Sequence, residues 1–247
     1  MNKTKKYDAS SIEVLEGLEP VRRRPGMYIG GTDNSSMHHL FSEVIDNAMD
    51  EAVANFASFI EVKVEKDNII TVYDNGRGIP IDPHPSFPDK SALEVIMTTL
   101  HAGGKFSNKV YQTSGGLHGV GISVVNALSE FVDVEIYRDK KIYNQKFSKG
   151  HPTSKLKELK KKTNRKGTKV SFKPDPEIFG LDNYFNCKKL YDFSKSKAYL
   201  FAGVEIRWFC EGEISKKENI PENDIFKFSQ GLIDLSLIHI SEPTRPY

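Results

Sequence analysis

Glu43, Asn47, Asp50 and Glu51 in EVIDNAMDEA fall at intervals of four, three and one. On a helix this spacing sets Glu43, Asn47 and Asp50 along one side, which the sequence predicts to be the polar one. A carboxylate and an amide oxygen one turn apart suit a division of labour. Glu43 would orient and deprotonate a water, and Asn47 would hold Mg²⁺ through its oxygen. Mg²⁺ keeps waters and takes substrate phosphates as ligands, so an all-protein cage is unnecessary. The competing reading is a surface helix whose acids only solvate it.

A second candidate stands in NIITVYD, where Ile70, Val72 and Asp74 share one face of a strand and Ile69, Thr71 and Tyr73 the other. Asp74 thus ends an apolar row, where a carboxylate is costly unless hydrogen-bonded. Either it caps the Asn75-Gly76 turn or it waits for a ligand donor such as an adenine amino group. In DNGRGIP, Gly76 and Gly78 allow a tight backbone path, and Arg77 and Pro80 could wall a flat ligand.

The third candidate is SGGLHGVGISVVNALS, which packs Gly115, Gly116, Gly119 and Gly121 ahead of an apolar segment with helical spacing. Glycines let backbone approach an anion, and a helix start directs unpaired N–H groups toward it. The Walker pattern is absent, and GGKFS has Phe106 where a hydroxyl residue should follow Lys105. The dinucleotide fingerprint G-x-G-x-x-G is absent as well. The plainer alternative is a glycine-rich turn before a core helix.

Several elements must position these groups. Ser10 and Glu13 have capping-box spacing for a helix through about Leu18, which PVRRRPGMYIGG then breaks. A long helix over Ser36 to Ala54 carries Leu40, Phe41, Val44, Ile45, Ala48, Met49, Ala52 and Val53 at three- and four-residue intervals. FIEVKVE and NIITVYD read as a hairpin around Lys66-Asp67. A helix near Ser91 to Leu100 follows, and after the glycine loop the pattern turns strand-rich: FVDVEIYRD, KIYNQKFSK, GTKVSFKPD and GVEIRWFC. The insert KLKELKKKTNRK between two of these strands reads as a solvated hairpin loop, with DNA contact as the alternative. LSLIHISEPTRPY fits nothing before it and resembles a translated adaptor, so residues 235–247 are set aside as a non-native tail.

The 247 residues, 38% hydrophobic and 28% charged, suffice for a full core. A net charge of +2 gives no global signature of nucleic-acid binding, although a local patch could supply one. Cys187 and Cys210 lack metal-ligand spacing and read as reduced thiols. No apolar run approaches the roughly 18 residues of a membrane span, and MNKTKKYDAS is not a signal peptide, so a cytoplasmic protein without membrane contact is expected.

Taken together, EVIDNAMDEA, DNGRGIP and GGLHGVG stand in the order and spacing of the three ATP-site motifs of the GHKL superfamily, which includes gyrase, Hsp90, histidine kinases and MutL. YDASSIEVLEGLEPVRRRPGMYIGGTD and SALEVIMTTLHAGGKF further resemble the B subunits of bacterial type IIA topoisomerases. GLEPVRRRPGMYIGGTD and DPHPSFPDKSALEVIMTTLHAGGKF are more similar to the topoisomerase IV type than to gyrase. The resemblance runs from about Tyr7 to Asp234 and is densest through Ser129.

That resemblance implies an α+β fold, the two-layer GHKL (Bergerat) sandwich, with helices covering one face of a mixed, mostly antiparallel sheet. It implies an arm and first helix over 1–20, the ATPase domain over 21–220, and the start of a transducer domain over 221–234. By the same resemblance Glu43 would be the general base and Asn47 the Mg²⁺ ligand. Asp74, with Thr168 nearby, would accept the adenine amino group. Arg77, Gly78, Ile79 and Pro80 would border the base, with Glu51 pairing to Arg77. Lys105 and the backbone of Gly115, Gly116, Leu117, His118, Gly119, Val120 and Gly121 would hold the phosphates of ATP, with Tyr111 near the adenine. Arg138 matches a pocket-rim arginine, and Tyr7 and Ile12 would reach a second B subunit.

The implied activity is ATP-driven closure of a dimer gate for DNA strand passage, in an A2B2 complex with topoisomerase A subunits and double-stranded DNA. The family's transducer lysine and glutamine, and its DNA-cleavage metal site, fall beyond this sequence, so weak hydrolysis by the 247 residues alone is expected. Negative supercoiling, as by the B subunit of gyrase, is the nearest alternative. A MutL-like or Hsp90-like clamp is argued against by HAGGKF and the arm. A kinase is argued against because no phospho-acceptor helix precedes the motifs; His38 and His39 sit inside the motif helix and read as structural.

Overall fold

The computed structural model describes residues 14–102 and 121–231. Where a helix was expected through Leu18, residues 14–16 are irregular and Gly17 turns with φ 58. The first helix, α1 (Glu19–Arg23), instead lies in the expected break. The reason is local: Pro20 stands in the first turn, where its missing N–H costs no hydrogen bond. After α2 (Gly26–Ile29), Asp33 starts the long helix α3 (Asn34–Val53), accepting the Ser36 N–H at 2.7 Å.

β1 (Phe59–Glu65) and β2 (Ile69–Asp74) pair antiparallel, Val62 opposite Val72. Their turn uses Asp67 and Asn68 at φ 59 and 67, a conformation these short polar residues tolerate. A small pair, β3 (Pro83–His84) and β4 (Phe87–Ser91), leads into α4 (Ala92–Thr98), capped by Ser91. α5 (Gly121–Ala127) then precedes β5 (Ser129–Arg138), β6 (Lys141–Ser148), β7 (His151–Pro152), β8 (Lys157–Leu159) and β9 (Gly167–Pro174). The chain continues through α6 (Pro176–Phe179), α7 (Cys187–Leu200), β10 (Glu205–Cys210), α8 (Gly212–Glu218) and β11 (Asn223–Lys227).

Among the described residues nine strands form one sheet in the order β11-β10-β1-β2-β9-β5-β6-β7, with β8 also on β6. β1 and β10 run parallel and the other neighbours antiparallel, giving the expected mixed sheet. One face carries Ile60, Val62, Ile70, Val72, Val134, Ile136 and Phe172, all buried in one cluster with Leu40, Phe41, Val44 and Ile45 of α3. The other face pairs polar groups: the Thr71 and Ser171 hydroxyls at 2.8 Å, and Lys169 with Glu135 at 2.7 Å. This is the expected two-layer arrangement, and Asn223–Lys227, the expected start of a following domain, forms the edge strand of the same sheet.

A second helix stands against α3. Phe193 of α7 meets Phe41 edge-on at 5.9 Å, and Lys197 pairs with Asp46 at 2.5 Å. His38 accepts the Asn186 N–H at 3.0 Å and packs edge-on against Phe185, the structural role expected of it. Asp50 is 1% exposed, which corrects the expectation that the Glu43, Asn47 and Asp50 line is the helix's polar side. α3 is packed from more than one direction, so part of its polar stripe lies inside the molecule. Among the described residues no helix is long and apolar enough to cross a membrane.

Candidate nucleotide site

Glu43 and Asn47 lie half-buried on the middle turns of α3. Asn47 donates its Nδ2 to the Glu43 carbonyl at 2.8 Å, which fixes its amide, and Oδ1 is the atom of that amide with the chemistry of a metal ligand. Gly121, the first residue of α5, stands directly over this pair. A Cβ there would lie 2.6 Å from Glu43 Oε2 and 3.8 Å from Asn47 Nδ2. The end of the glycine run therefore meets the carboxylate because it has no side chain. Tyr7, Lys105, Tyr111 and Gly115 to Val120 lie outside the described residues.

Asp74 is placed by period two: β2 buries Ile70, Val72 and Asp74 in one row, and Asp74 is 5% exposed. Its Oδ1 accepts the Gly76 N–H at 2.8 Å, so the turn-cap reading describes one of its two oxygens. Burial pushes its carboxyl up to about 7, the Glu51 charge adds to the rise, and backbone N–H groups of Gly76 and Thr168 oppose it. Thr168 is its register partner across β9, and its hydroxyl accepts the Ile79 N–H at 3.1 Å. Asp74 and Thr168 thus form one buried polar point at an otherwise apolar sheet end.

The DNGRGIP segment is fastened from two sides. Arg77 donates to Glu51 through Nη2 at 2.7 Å, Nε at 3.2 Å and its backbone N–H at 2.9 Å. This two-pronged pairing with a carboxylate is geometrically specific. The guanidinium also lies 3.7 Å from the ring centre of Phe56, a partner no motif singles out. Gly76 passes between the two acids so closely that a Cβ would come 2.7 Å from Glu51 Oε2 and 2.8 Å from Asp74 Oδ1. Arg138 donates to the Gly78 carbonyl at 3.2 Å, Ile79 packs against the core, and Pro80 is exposed.

The structure thus brings Glu43, Asn47 and Gly121 into one cluster, and Glu51, Asp74, Arg77, Gly78, Ile79, Arg138 and Thr168 into a contiguous second. α3 links them, since Glu43, Asn47 and Glu51 are spaced a turn apart along it. Among the described residues no group of three or more His, Cys, Asp or Glu could hold a metal ion.

A family model of histidine kinase-, DNA gyrase B-, and HSP90-like ATPases matches residues 32–178. Among known proteins, the B subunit of DNA topoisomerase 4 from Bartonella bacilliformis is 61% identical over 229 residues, 92% of this chain and 33% of that protein. The B subunit of DNA gyrase from Thermotoga maritima is 48% identical over 229 residues, 93% of this chain and 34% of that protein. The chain spans about a third of the length of these relatives. Among solved structures, the 43K ATPase domain of Thermus thermophilus gyrase B, in complex with an aminocoumarin, matches with a TM-score of 0.78 at 39% identity. That match covers 93% of this chain and 56% of the other. With the family match running from the turn before α3 through β9 to α6, across both clusters of the site, the chain belongs to the histidine kinase-, DNA gyrase B- and HSP90-like ATPases.

Proposed function

We propose that this chain binds and hydrolyses ATP as the ATPase module of a type II DNA topoisomerase B subunit, of the topoisomerase IV type. The approach of Gly121 to the Glu43 carboxylate carries the reading, because it brings a carboxylate with the chemistry of a general base to the end of a glycine run suited to phosphates. The higher identity to the topoisomerase 4 relative, 61% against 48% for the gyrase relative, favours that type.

In this reading Asp74 and Thr168 accept the adenine amino group, and a donor there holds the carboxylate ionised despite its burial. Arg77, fixed by Glu51, forms a wall of the base pocket with Gly78, Ile79, Pro80 and the Arg138 rim. Lys105, the backbone from Gly115 to Gly121 and Tyr111 complete the nucleotide contacts. Glu43 takes a proton from the attacking water. Asn47 Oδ1 holds Mg²⁺, which neutralises charge on the phosphates.

At the level of the whole protein, ATP binding favours a closed dimer of B subunits, Tyr7 of each arm reaching the partner's site. The complex contains two A and two B subunits, works on double-stranded DNA in the cytoplasm, and decatenates and relaxes it.

Calorimetry with a non-hydrolysable ATP analogue and Mg²⁺ tests the site. The expected result is binding of the ATP analogue and not of GTP, weakened at least about a hundredfold in Asp74→Asn, as loss of a buried donor–acceptor match requires. Equal binding of both nucleotides, or an Asp74→Asn variant that binds as wild type, would refute the adenine assignment.

A further inference from the structure

The near-neutral charge of the chain conceals a local concentration. Between Asp139 and Lys166 stand eleven lysines and arginines against Asp139 and Glu158 alone, a net +9, so the rest of the chain carries −7 against a total of +2. Lys141 is paired with Glu158 at 2.9 Å, while Lys146 and Lys149 reach Asp133 and Glu177 on neighbouring strands and helices. Lys140, Lys155, Lys157, Lys160, Lys161 and Lys162 are exposed and make no ion pair among the described residues.

The segment is held at several points. β8 pairs along the outer side of β6, Asn144 opposite Lys157, and the Thr163 N–H donates to the Lys140 carbonyl at 3.2 Å. Near its end, Tyr73 donates to the Lys166 carbonyl at 2.7 Å, and the Arg165 guanidinium lies 5.4 Å from the Tyr73 ring centre. The result is a fixed basic ridge at the β6 edge, running to the sheet end that carries Asp74 and Thr168.

Lysines on an edge strand can simply discourage edge-to-edge pairing. That accounts for Lys155 and Lys157 beside β8; it does not account for Lys160, Lys161, Lys162 and Lys166, which stand outside any strand. Uncompensated like charges repel one another, and a polyanion relieves that repulsion.

The chemistry of the ridge narrows the polyanion. From Ser148 to Lys166 there is no Phe, Tyr or Trp on which bases could stack, so it is no single-strand platform. Ten of the eleven cations are lysines, point charges suited to phosphates and not to two-pronged reading of base edges. Leu156 and Leu159 are partly buried, leaving no exposed apolar anchor for a membrane or a protein partner.

We propose that the ridge formed by Lys155, Lys157, Lys160, Lys161 and Lys162 at the β6–β8 edge binds the phosphate backbone of double-stranded DNA without regard to sequence. It deepens the topoisomerase reading and rests on DNA being the substrate, but its test does not depend on the nucleotide site.

Fluorescence anisotropy of a labelled duplex of about 30 base pairs, titrated with the 247-residue chain over a series of salt concentrations, reads the interaction. Changing the five ridge lysines to Gln should weaken binding at least about tenfold at low salt. It should also flatten the log–log salt slope by about 3 to 4, near 0.9 for each phosphate that is no longer neutralised. A control variant with Lys188, Lys189, Lys216, Lys217 and Lys227 changed to Gln loses the same charge around α7, α8 and β11, near the other sheet edge, and should bind within about threefold of wild type.

Equal weakening in both variants would overturn the proposal in favour of bulk charge. Absence of wild-type duplex binding at low salt would overturn it outright, as would equal wild-type affinity for phosphatidylserine vesicles or for poly-glutamate. ATP-analogue binding, measured on the same samples, should survive in the ridge variant and shows that its fold is intact. Duplex binding without any nucleotide binding would refute the ATP reading and leave the ridge standing.

Discussion

Arg22 reaches the buried carboxylate of Asp175 with Nη2 at 2.7 Å, while its Nη1 donates to the Ala127 carbonyl at 2.7 Å. One side chain thus ties α1 to the end of α5 and to the residue that caps α6, 153 positions along the chain. Asp175 is fully buried, whereas Lys149 stands 3.7 Å from it and supplies a second, weaker partner.

Removing Arg22 leaves that carboxylate with little compensation. Cutting one partner from a buried pair costs about 3–5 kcal/mol, and the partial exposure of Arg22 together with Lys149 moves the expectation to about 2–3 kcal/mol for Arg22→Ala. Urea unfolding of the two proteins checks it. A loss under about 0.5 kcal/mol would mean that the pair contributes no more than an exposed ion pair does.

Gly121→Ala separates the chemistry of the site from its stability. The added Cβ would meet Glu43 Oε2 at 2.6 Å, the mobile end of a side chain, so the fold can yield by moving the carboxylate. Alanine also favours a helix by up to about 1 kcal/mol over glycine. In the proposed reading the variant therefore melts at or slightly above the wild-type temperature yet turns ATP over at least about tenfold more slowly than the already weak wild-type rate, because a displaced base loses part of its 10²–10⁴-fold contribution. Steady-state hydrolysis beside thermal melting makes the comparison, and wild-type turnover by Gly121→Ala would remove Glu43 from the role of base.

These relationships differ in how far the sequence discloses them. α3, β1 and β2 are legible because each buries one face, and burial writes a period of 3.6 or 2 into the residues. Asp74 is legible for the same reason, as a carboxylate continuing an apolar row. α7 is not: its buried line runs through Cys187, Leu190, Ser194 and Ala198 amid lysines, too polar a stripe to stand out. Without the helices packed on it in view, α3 reads as having a solvated side, and that is how Asp50 comes to be misplaced. The pairing of Glu51 with Arg77 spans 26 residues and that of Arg22 with Asp175 spans 153, so neither has a local signal. The first is reached through family resemblance, the second only through the structure. Gly121 over Glu43 is an approach of the start of one helix to the middle of another, 78 positions apart, and shows only once both are packed.

Asp74 also makes a prediction about stability and pH. Its folded carboxyl titrates near 7 where an exposed aspartate titrates at 3.8, so between those values the folded state holds a proton that the unfolded chain releases. Stability falls with rising pH wherever the folded state binds more protons, so this group costs nothing below about pH 4 and progressively more up to about pH 7. The full difference corresponds to about 4 kcal/mol at most. Asn at this position keeps an oxygen for the Gly76 N–H and never ionises. Asp74→Asn should therefore gain stability over wild type as pH rises from 4 to 7.5, the two curves converging in acid. Unfolding free energies of both proteins at half-unit pH steps provide the measurement. A constant difference across that range would show that Asp74 is ionised in the folded state throughout, and that the Gly76 and Thr168 N–H groups outweigh its burial.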